Sequence, residues 1–580
     1  MLKINTTTAS IMVRGDGGRR LPSKGLTKSC VLVIVVAGVE RFAFKGVASN
    51  LVTYLTEVLK MSNSAAAKTV NSWAGISFLL PLLGAFLADS YLDRYFTILA
   101  SSVLYVAGLV ALTSTALVWE WIAKSSHDHE KTNSSPWSSF PLFLSLFLIA
   151  LGQGGYNPCL QAFGADQLEL GKSETRLKQL PTSNNPKDGD ADDDENTYYE
   201  KMKSMFFKWW YFGIVIGSLL GVSLMSYLQD TFGWGIGFAI PSIAMAMSVA
   251  PFTCGTRFYT ITEEQSKSDR GSTARMIKNL VNSIKGAAQK LMHRNYATLP
   301  TNLSEAVELE LQQEPLCSQH SGDQRCNNMA NKPNGAAPDT VEETGSILKL
   351  MPIWGMLLVF AIIFQQPATF FTKQGMTMKR NIGNHFMIPP ATLQSAINVS
   401  IILLMPLYDK LVTPVYRFIT GSDKGINVMQ RMGFGMFLSV IAMSIAALVE
   451  TKRLEISRRE PSISPVPLCI FWLLPQYIIL GISDVFTVVG MQEFFYSEVP
   501  NKMKTMGMAL HLSVFGVGSF LSAILISFIE LVTSDKYGKH SWFSDDMNEA
   551  QLNNYYWLLA FACALSLFLF ASYSHKYYNK

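Results

Sequence analysis

The stretch "VVAGVERFAFKG", residues 35–46, sets Glu40 and Arg41 side by side in an otherwise apolar run. A charge near the centre of a bilayer costs roughly 2.5–3.5 kcal/mol even on lenient insertion scales, so a charge retained there points to function. Neighbouring residues on a helix lie about 100° apart, so the two cannot pair well and also face one direction. Each needs a partner on another helix or in water. Glu40, near the middle of its run, has the chemistry of a reversible proton site, because a carboxylate between water and low dielectric can take up and release a proton. The alternative is a buried ion network that only holds helices together.

Three further segments carry polar groups inside apolar runs. "ALGQGGYNPCLQAFGADQ" offers Gln153 and Asn157 among glycines and a proline, which predicts a kinked or locally unwound helix with backbone groups open to a cavity. The same glycines could instead serve close helix packing. "VFAIIFQQPATFF" places Gln365 and Gln366 just before Pro367, again the mark of a broken helix. "PQYIILGISDVFTVVGMQEFFYSEVP" holds Asp484 and Glu493, which fall on opposite helix faces about 13 Å apart along the axis. Asp484 sits near mid-membrane and is the better pocket candidate; Glu493, closer to the helix end, reads as a structural or gating partner.

These residues need elements that can hold them in a membrane. The 580 residues are 49% hydrophobic and only 16% charged, against about 25% charged in soluble domains. Apolar runs of about 20 residues recur throughout, predicting about twelve spans near 30–58, 69–91, 95–118, 139–163, 204–227, 232–254, 346–371, 388–408, 426–449, 465–492, 506–531 and 554–574. The fold class is therefore an all-α polytopic membrane protein. The spans divide six and six around a long polar segment. The expected organisation is an N-terminal segment 1–29, a six-helix bundle 30–255, a linker 256–345, a second six-helix bundle 346–574 and a tail 575–580.

The N-terminal segment carries Lys3, Arg14, Arg19, Arg20, Lys24 and Lys28 against Asp16, so the positive-inside rule puts it, the linker and the C-terminus in the cytosol. It has no apolar core of a cleavable signal, and the first span is expected to direct insertion. Within the linker, "RMIKNLVNSIKGAAQKLMHR" predicts an amphipathic helix on the inner leaflet or packed on the bundle, and 302–344 reads as disordered. The segment "NNPKDGDADDDENTYYE" reads as a solvated acidic loop.

A weak repeat links the halves. "GAFLADSYLDRYFT" and "MPLYDKLVTPVYRF" each place an Asp at the cytosolic end of a span with an Arg after it: Asp89 with Arg94, Asp409 with Arg417. Such a set can pair across the halves in one state and separate in another, as a gate requires. A net charge of +5 argues against nucleic acid as a partner, and seven scattered cysteines form neither a disulfide framework nor a metal site. No phosphate-binding loop, HExxH or C-x-x-C pair is present. Neither catalysis nor a cofactor is expected.

The stretches "VERFAFKGVASNLVTYL", "GAFLADSYLDRY", "GGYNPCLQAFGADQ", "WWYFGIVIGSLLG", "IPPATLQ" and "KTMGMAL", with the Asp484 segment, together resemble the plant nitrate/peptide transporter family, the proton-dependent oligopeptide transporters of the major facilitator superfamily. The resemblance covers essentially the whole chain. It implies the major facilitator fold, twelve transmembrane helices in two bundles working by alternating access. It also implies departures at the site. The family's Glu-x-x-Glu-Arg motif survives as Glu40 and Arg41, with Ala37 at its first glutamate. The family's span-4 lysine corresponds to Asn157, its span-5 asparagine to Val215, its span-10 glutamate to Asp484, and a span-7 histidine used for nitrate in one branch to Phe364. Losing both members of a buried pair can be near neutral, whereas losing one costs about 3–5 kcal/mol, so Ala37 and Asn157 read as a compensated simplification.

The expected protein is a secondary transporter of a small polar solute. Glu40 and Asp484 are the proton-coupling candidates; Arg41, Asn157, Gln153, Phe364, Gln365 and Asp484 are the substrate-binding candidates. Counting Glu40, Arg41 and Asp484 gives a pocket charge of about −1, so nitrate entry calls for protonation of a carboxylate. Nitrate is the first substrate that the resemblance implies; peptides, hormone-like metabolites, and proton-independent uniport or efflux are the alternatives. A non-translocating sensor would have no use for a gate repeated in both halves. The lipid bilayer is the other partner, and plasma and vacuolar membranes both fit.

Overall fold

A computed structural model describes residues 27–90, 94–125, 139–178, 189–255, 338–383, 386–407, 427–460, 465–499, 504–533 and 541–578. The first half contains α1 (Lys28–Ala48), α2 (Leu51–Glu57), α3 (Asn63–Ser90), α4 (Arg94–Ser125), α5 (Phe140–Lys178), α6 (Gly189–Phe232) and α7 (Trp234–Cys254). The second contains α8 (Pro338–Phe364), α9 (Phe370–Met376), α10 (Ser395–Leu407), α11 (Val428–Arg459), α12 (Leu474–Ser497), α13 (Lys504–Thr533) and α14 (Leu552–Tyr578). Among the described residues, ten stretches are long and apolar enough to cross a bilayer. Two more long helices, α1 and α3, pack among them. Every 18-residue window of α1 contains Glu40, Arg41 and Lys45, three charges that set it apart by composition.

Helices dominate because lipid offers no hydrogen bonds to an open backbone. Large apolar side chains such as Val103, Trp121, Leu403, Phe528, Leu531 and Phe561 are exposed on the outer surface, where lipid would meet them. The cores follow the halves: one cluster runs from Cys30 to Phe252, and two others draw almost wholly on residues 350–570. Across the halves, α3 packs on α13 and α6 on α10.

The halves are fastened by polar contacts near the loops that follow spans 1, 5, 7 and 11. Lys68 pairs with Glu530 at 2.7 Å, and Ser64 donates to the same carboxylate at 2.8 Å. The Asn63 backbone N–H donates to Asp545 at 2.9 Å, Lys373 to Thr56 at 3.1 Å, and Gln394 to the Ser49 carbonyl at 2.9 Å. Arg380 lies 3.9 Å from Asp230. Deeper, Asn71 donates to Ser522 at 3.0 Å. Short strands decorate the same side: β1 (Met378–Lys379) runs parallel to β4 (Val466–Cys469), and β2 (Asn381–Ile382) pairs with β3 (Phe386–Met387).

Several sequence expectations are corrected. The first span is not one helix: it breaks at Ser49 and Asn50, where Asn50 takes φ −117° and ψ 10°. The break frees the Gly46 carbonyl, which accepts a hydrogen bond from Gln229 at 2.8 Å while Asn50 donates to Gln229 at 3.2 Å. A side chain from α6 thus replaces a rung of the helix ladder. The glycine segment of span 4 is not unwound, since α5 runs unbroken through Pro158. Much of the acidic "loop" is helix, α6 beginning at Gly189, and α8 begins at Pro338 inside the stretch read as disordered. Asp190 and Asp192 fall in the first turn, where acidic residues are favoured. The break in span 7 is as expected: α8 ends at Phe364 and a 3-10 turn, Gln366–Ala368, leads into α9. The amphipathic linker helix lies outside the described residues.

Candidate functional site

Glu40 projects from the middle of α1 and is buried, 1% exposed. Tyr105 on α4 donates to its Oε1 at 3.5 Å, and the Asn157 side chain on α5 hydrogen-bonds to it. Tyr105 can reach because Gly152 lets α5 touch α4: a Cβ on Gly152 would stand 2.6 Å from the Tyr105 nitrogen. The glycines of span 4 therefore serve helix contact, the packing alternative. Arg41 Nε lies 3.8 Å from Glu40 Oε2, a loose contact beyond hydrogen-bond range, and its guanidinium carbon stands 5.8 Å from the Phe44 ring. Glu40 is thus surrounded mainly by neutral donors, with one cation at arm's length. Ala37 is buried one turn before Arg41, at 3% exposed.

The position of α1 is set by a backbone-to-backbone seam with α6. Gly213, Gly217 and Gly221 recur at four-residue spacing, the small-xxx-small pattern of close membrane helices. A methyl on Gly217 would overlap the Gly38 carbonyl, and one on Gly221 would come within 2.5 Å of the Phe42 oxygen and 3.1 Å of the Lys45 Cβ.

The seam exposes a residue that sequence reasoning missed. Lys45 is half-buried, lies one turn beyond Arg41 on the same helix face, and stands within electrostatic reach of both Arg41 and Asp484. It was in view in the opening stretch, but counting only the motif charges passed over it. With Lys45 included, Glu40, Arg41, Lys45 and Asp484 sum to about zero rather than −1, which removes the repulsion expected for an anion.

Asp484 on α12 is buried at 8% exposed. Among the described residues it has no direct hydrogen-bond or ion-pair partner, although Lys45 and Tyr211 of the opposite half lie within electrostatic reach. Beside it, Val485, Val215 and Ile401 form a small apolar cluster joining α12, α6 and α10 across the halves. Gln153 is buried with its Oε1 unsatisfied, and Gln365 likewise with its Nε2. Gln366 donates to Tyr555 at 3.2 Å and leaves its own Oε1 unsatisfied. Phe364 sits in an aromatic cluster spanning the interface, its ring centre 4.9 Å from Phe515 and 6.5 Å from Phe78.

Glu493 is ion-paired with Arg431 on α11, inside its own half. Of the predicted gate set, Arg94 opens α4 and is half-buried, and Asp89 lies in the last turn of α3. Asp409 and Arg417 lie outside the described residues. Sequence reasoning also missed a buried ion pair in α11, where Arg453 Nε donates to Glu450 at 2.8 Å and Nη1 to Asn548 at 3.0 Å. The spacing of this pair at a span end reads as interfacial charge, but Asn548 and the Met547 carbonyl cover Arg453 while Gln374 hydrogen-bonds to Glu450.

Two helical halves thus meet around a small set of buried charged and polar groups. The chain belongs to the POT family (PTR2), which matches residues 95–543. It is 51% identical over 562 residues to Protein NRT1/PTR FAMILY 5.9 of Arabidopsis thaliana, covering 94% of this chain and 95% of that protein. It is 41% identical over 568 residues to Protein NRT1/PTR FAMILY 5.10 of the same plant, covering 96% and 94%. Among solved structures, the POT family transporter PepTSo superposes with a TM-score of 0.64 at 19% identity, over 95% of this chain and 99% of that one. An auto-inhibited POT family peptide transporter gives 0.64 at 21%, over 94% and 97%. These structural likenesses carry the fold alone, one shared along nearly the whole chain.

Proposed function

We propose that this protein is a proton-coupled secondary transporter of a small polar solute, with nitrate as its first substrate. Glu40 carries the proton and Arg41 meets the substrate. The observation that supports the reading is the setting of Glu40: a buried carboxylate in mid-span, held by a hydroxyl and an amide, with its cation too far for a hydrogen bond. Such a group is poised between charged and neutral forms. Asp484, buried on α12 of the other half and within electrostatic reach of Lys45, is the second proton-accepting group.

The polar contacts fastening one side support alternating access, with both termini in the cytosol and the fastened side outward. A second reading, transport without proton coupling, draws on Ala37, which removes one carboxylate from the family motif. Flux of labelled nitrate into proteoliposomes with and without a pH gradient tests both. Glu40→Gln is expected to abolish gradient-driven accumulation while counterflow exchange persists. Undiminished accumulation by that variant refutes proton carriage by Glu40, and wild-type flux insensitive to the gradient favours the second reading.

A further inference from the structure

Helices α6 and α10 meet along a seam between the halves, and the seam is not closed throughout. At its inner end Val215 packs with Ile401 and Val485. Towards the fastened side, the 3-10 turn Pro390–Gln394 and the β2–β3 hairpin form the opposite wall, and a groove of about 720 Å³ lies between them and α6. Leu220, Ser223, Leu224 and Tyr227 line it at i, i+3, i+4 and i+7, a single helix stripe. Leu220 and Leu224 are exposed on the outer surface, so the groove opens sideways to lipid. At its mouth Tyr227 stacks on Phe386 with ring centres 5.7 Å apart, in the place that tyrosine favours at a membrane interface. Beyond this pair Arg380 stands 3.9 Å from Asp230, which lies one turn past Tyr227 on α6. That separation is too long for a hydrogen bond, and the neighbouring Lys379 is exposed. Thr392 and Ser395 also line the groove, and their buried hydroxyls have no hydrogen-bond partner among the described residues. An orphaned donor is a cost that an incoming acceptor removes.

The size and polarity of the groove select its occupant. From Asp230 to Leu220 is about 15 Å of helix, half of a hydrocarbon core of roughly 30 Å and so the depth of one leaflet. A partner helix about 10 Å across would need about 1,200 Å³ over that length, more than the groove holds, whereas an acyl chain is thin enough. Ile388 donates to the Arg380 carbonyl at 3.0 Å, so Thr392 and Ser395 follow the cationic end directly in the chain. Apolar walls, hydroxyls without acceptors and a cationic end match the hydrocarbon, ester carbonyls and phosphate of a phospholipid. We propose that the groove is a phospholipid site: one acyl chain from the leaflet on the fastened side lies between the halves, with the phosphate on Arg380 and an ester carbonyl accepting from Thr392 or Ser395. The lipid touches both halves, so its binding favours the arrangement in which both walls are present. The site lies apart from the charged centre and does not depend on which solute is carried.

The test titrates the purified full chain in dodecyl maltoside with dioleoylphosphatidylcholine and, separately, with dioleoylglycerol, which has the same chains and no phosphate. Pulsed electron–electron distances between nitroxides at the ends of α3 and α13 report the arrangement of the halves, and native mass spectrometry counts the lipids retained. Phosphatidylcholine is expected to shift the distances towards the fastened arrangement along a saturable curve. Ser223→Phe, which fills the groove, should retain one phospholipid fewer and lose most of that response. Ala396→Leu fills the groove from the opposite wall and serves if the first variant fails to fold. Arg380→Gln should raise the phosphatidylcholine midpoint about tenfold and leave that of dioleoylglycerol unchanged, as loss of a charge-assisted contact does, while Arg380→Lys stays within about threefold. A phosphatidylcholine response that survives both groove-filling variants, a midpoint unmoved in Arg380→Gln, or a wild type that responds to neither lipid overturns the site. No solute or gradient is present, so such a failure leaves the proton-coupled reading standing, whereas failure of the Glu40→Gln flux test leaves the lipid site standing.

Discussion

Glu530→Ala should shift the balance between the two access states, and the structure sets the size of the shift. In the wild type the Glu530 carboxylate binds Lys68 at 2.7 Å and accepts from Ser64 at 2.8 Å, joining α13 of one half to α3 of the other. The Lys68 and Glu530 side chains are 30% and 36% exposed, so the ion pair contributes only about 0.2–1 kcal/mol. The hydroxyl bond adds about 1 kcal/mol. Both contacts bridge the halves and are lost when that side opens, so the variant should favour the opposite state by about 1–2 kcal/mol, a factor of about 5–30. Pulsed electron–electron distances between nitroxides on the two halves, at the ends of α3 and α13, report the populations directly. Lys68→Ala should move them the same way by less, and the double variant should show clear coupling beyond the few tenths of a kcal/mol expected of independent sites. Unchanged distance distributions, or strict additivity, would refute the assignment of these contacts as a fastening between halves.

Two further outcomes concern the scaffold. Arg453→Ala strands Glu450 inside α11 and should lower stability by about 3–5 kcal/mol, seen as a large fall in melting temperature in detergent, whereas a paired apolar replacement of both residues should fall much less. Gly217→Ala places a methyl against the Gly38 carbonyl, and should both lower the melting temperature and slow labelled-nitrate flux, because it displaces the helix that carries Glu40 and Arg41.

Much of the architecture was legible because lipid simplifies the code. Long apolar runs can only be helices there, and Pro367 after Gln365 and Gln366 marked the break in span 7 correctly. The break at Asn50 was not legible, because its cause is Gln229, 179 residues away, taking over a backbone carbonyl. The glycines of span 4 misled for a related reason: whether Gly152 unwinds a helix or admits a neighbour depends on Tyr105, which the local sequence does not show. For the site, Glu40, Arg41 and Asp484 stood out as charges in apolar runs. Lys45 lies at the middle of the predicted span 30–58 and was as legible as Glu40, but it falls outside the charged motif. The Glu450–Arg453 pair was disguised by its place at a span end, where such charges ordinarily reach for interfacial water.

The glycine seam also has a mechanical meaning. Where helices touch through side chains, rotamer changes absorb strain and the two can slide. Between Gly38 and Gly217 main chain bears on main chain, and no cushion exists. Helices α1 and α6 are therefore splinted into a single lever. In the proposed alternating access, that lever would carry Glu40, Arg41 and Lys45 as a rigid cargo, while Asp484 would ride on the other arm. The distance between the two sets of charges is then a direct gauge of how far the molecule has tilted.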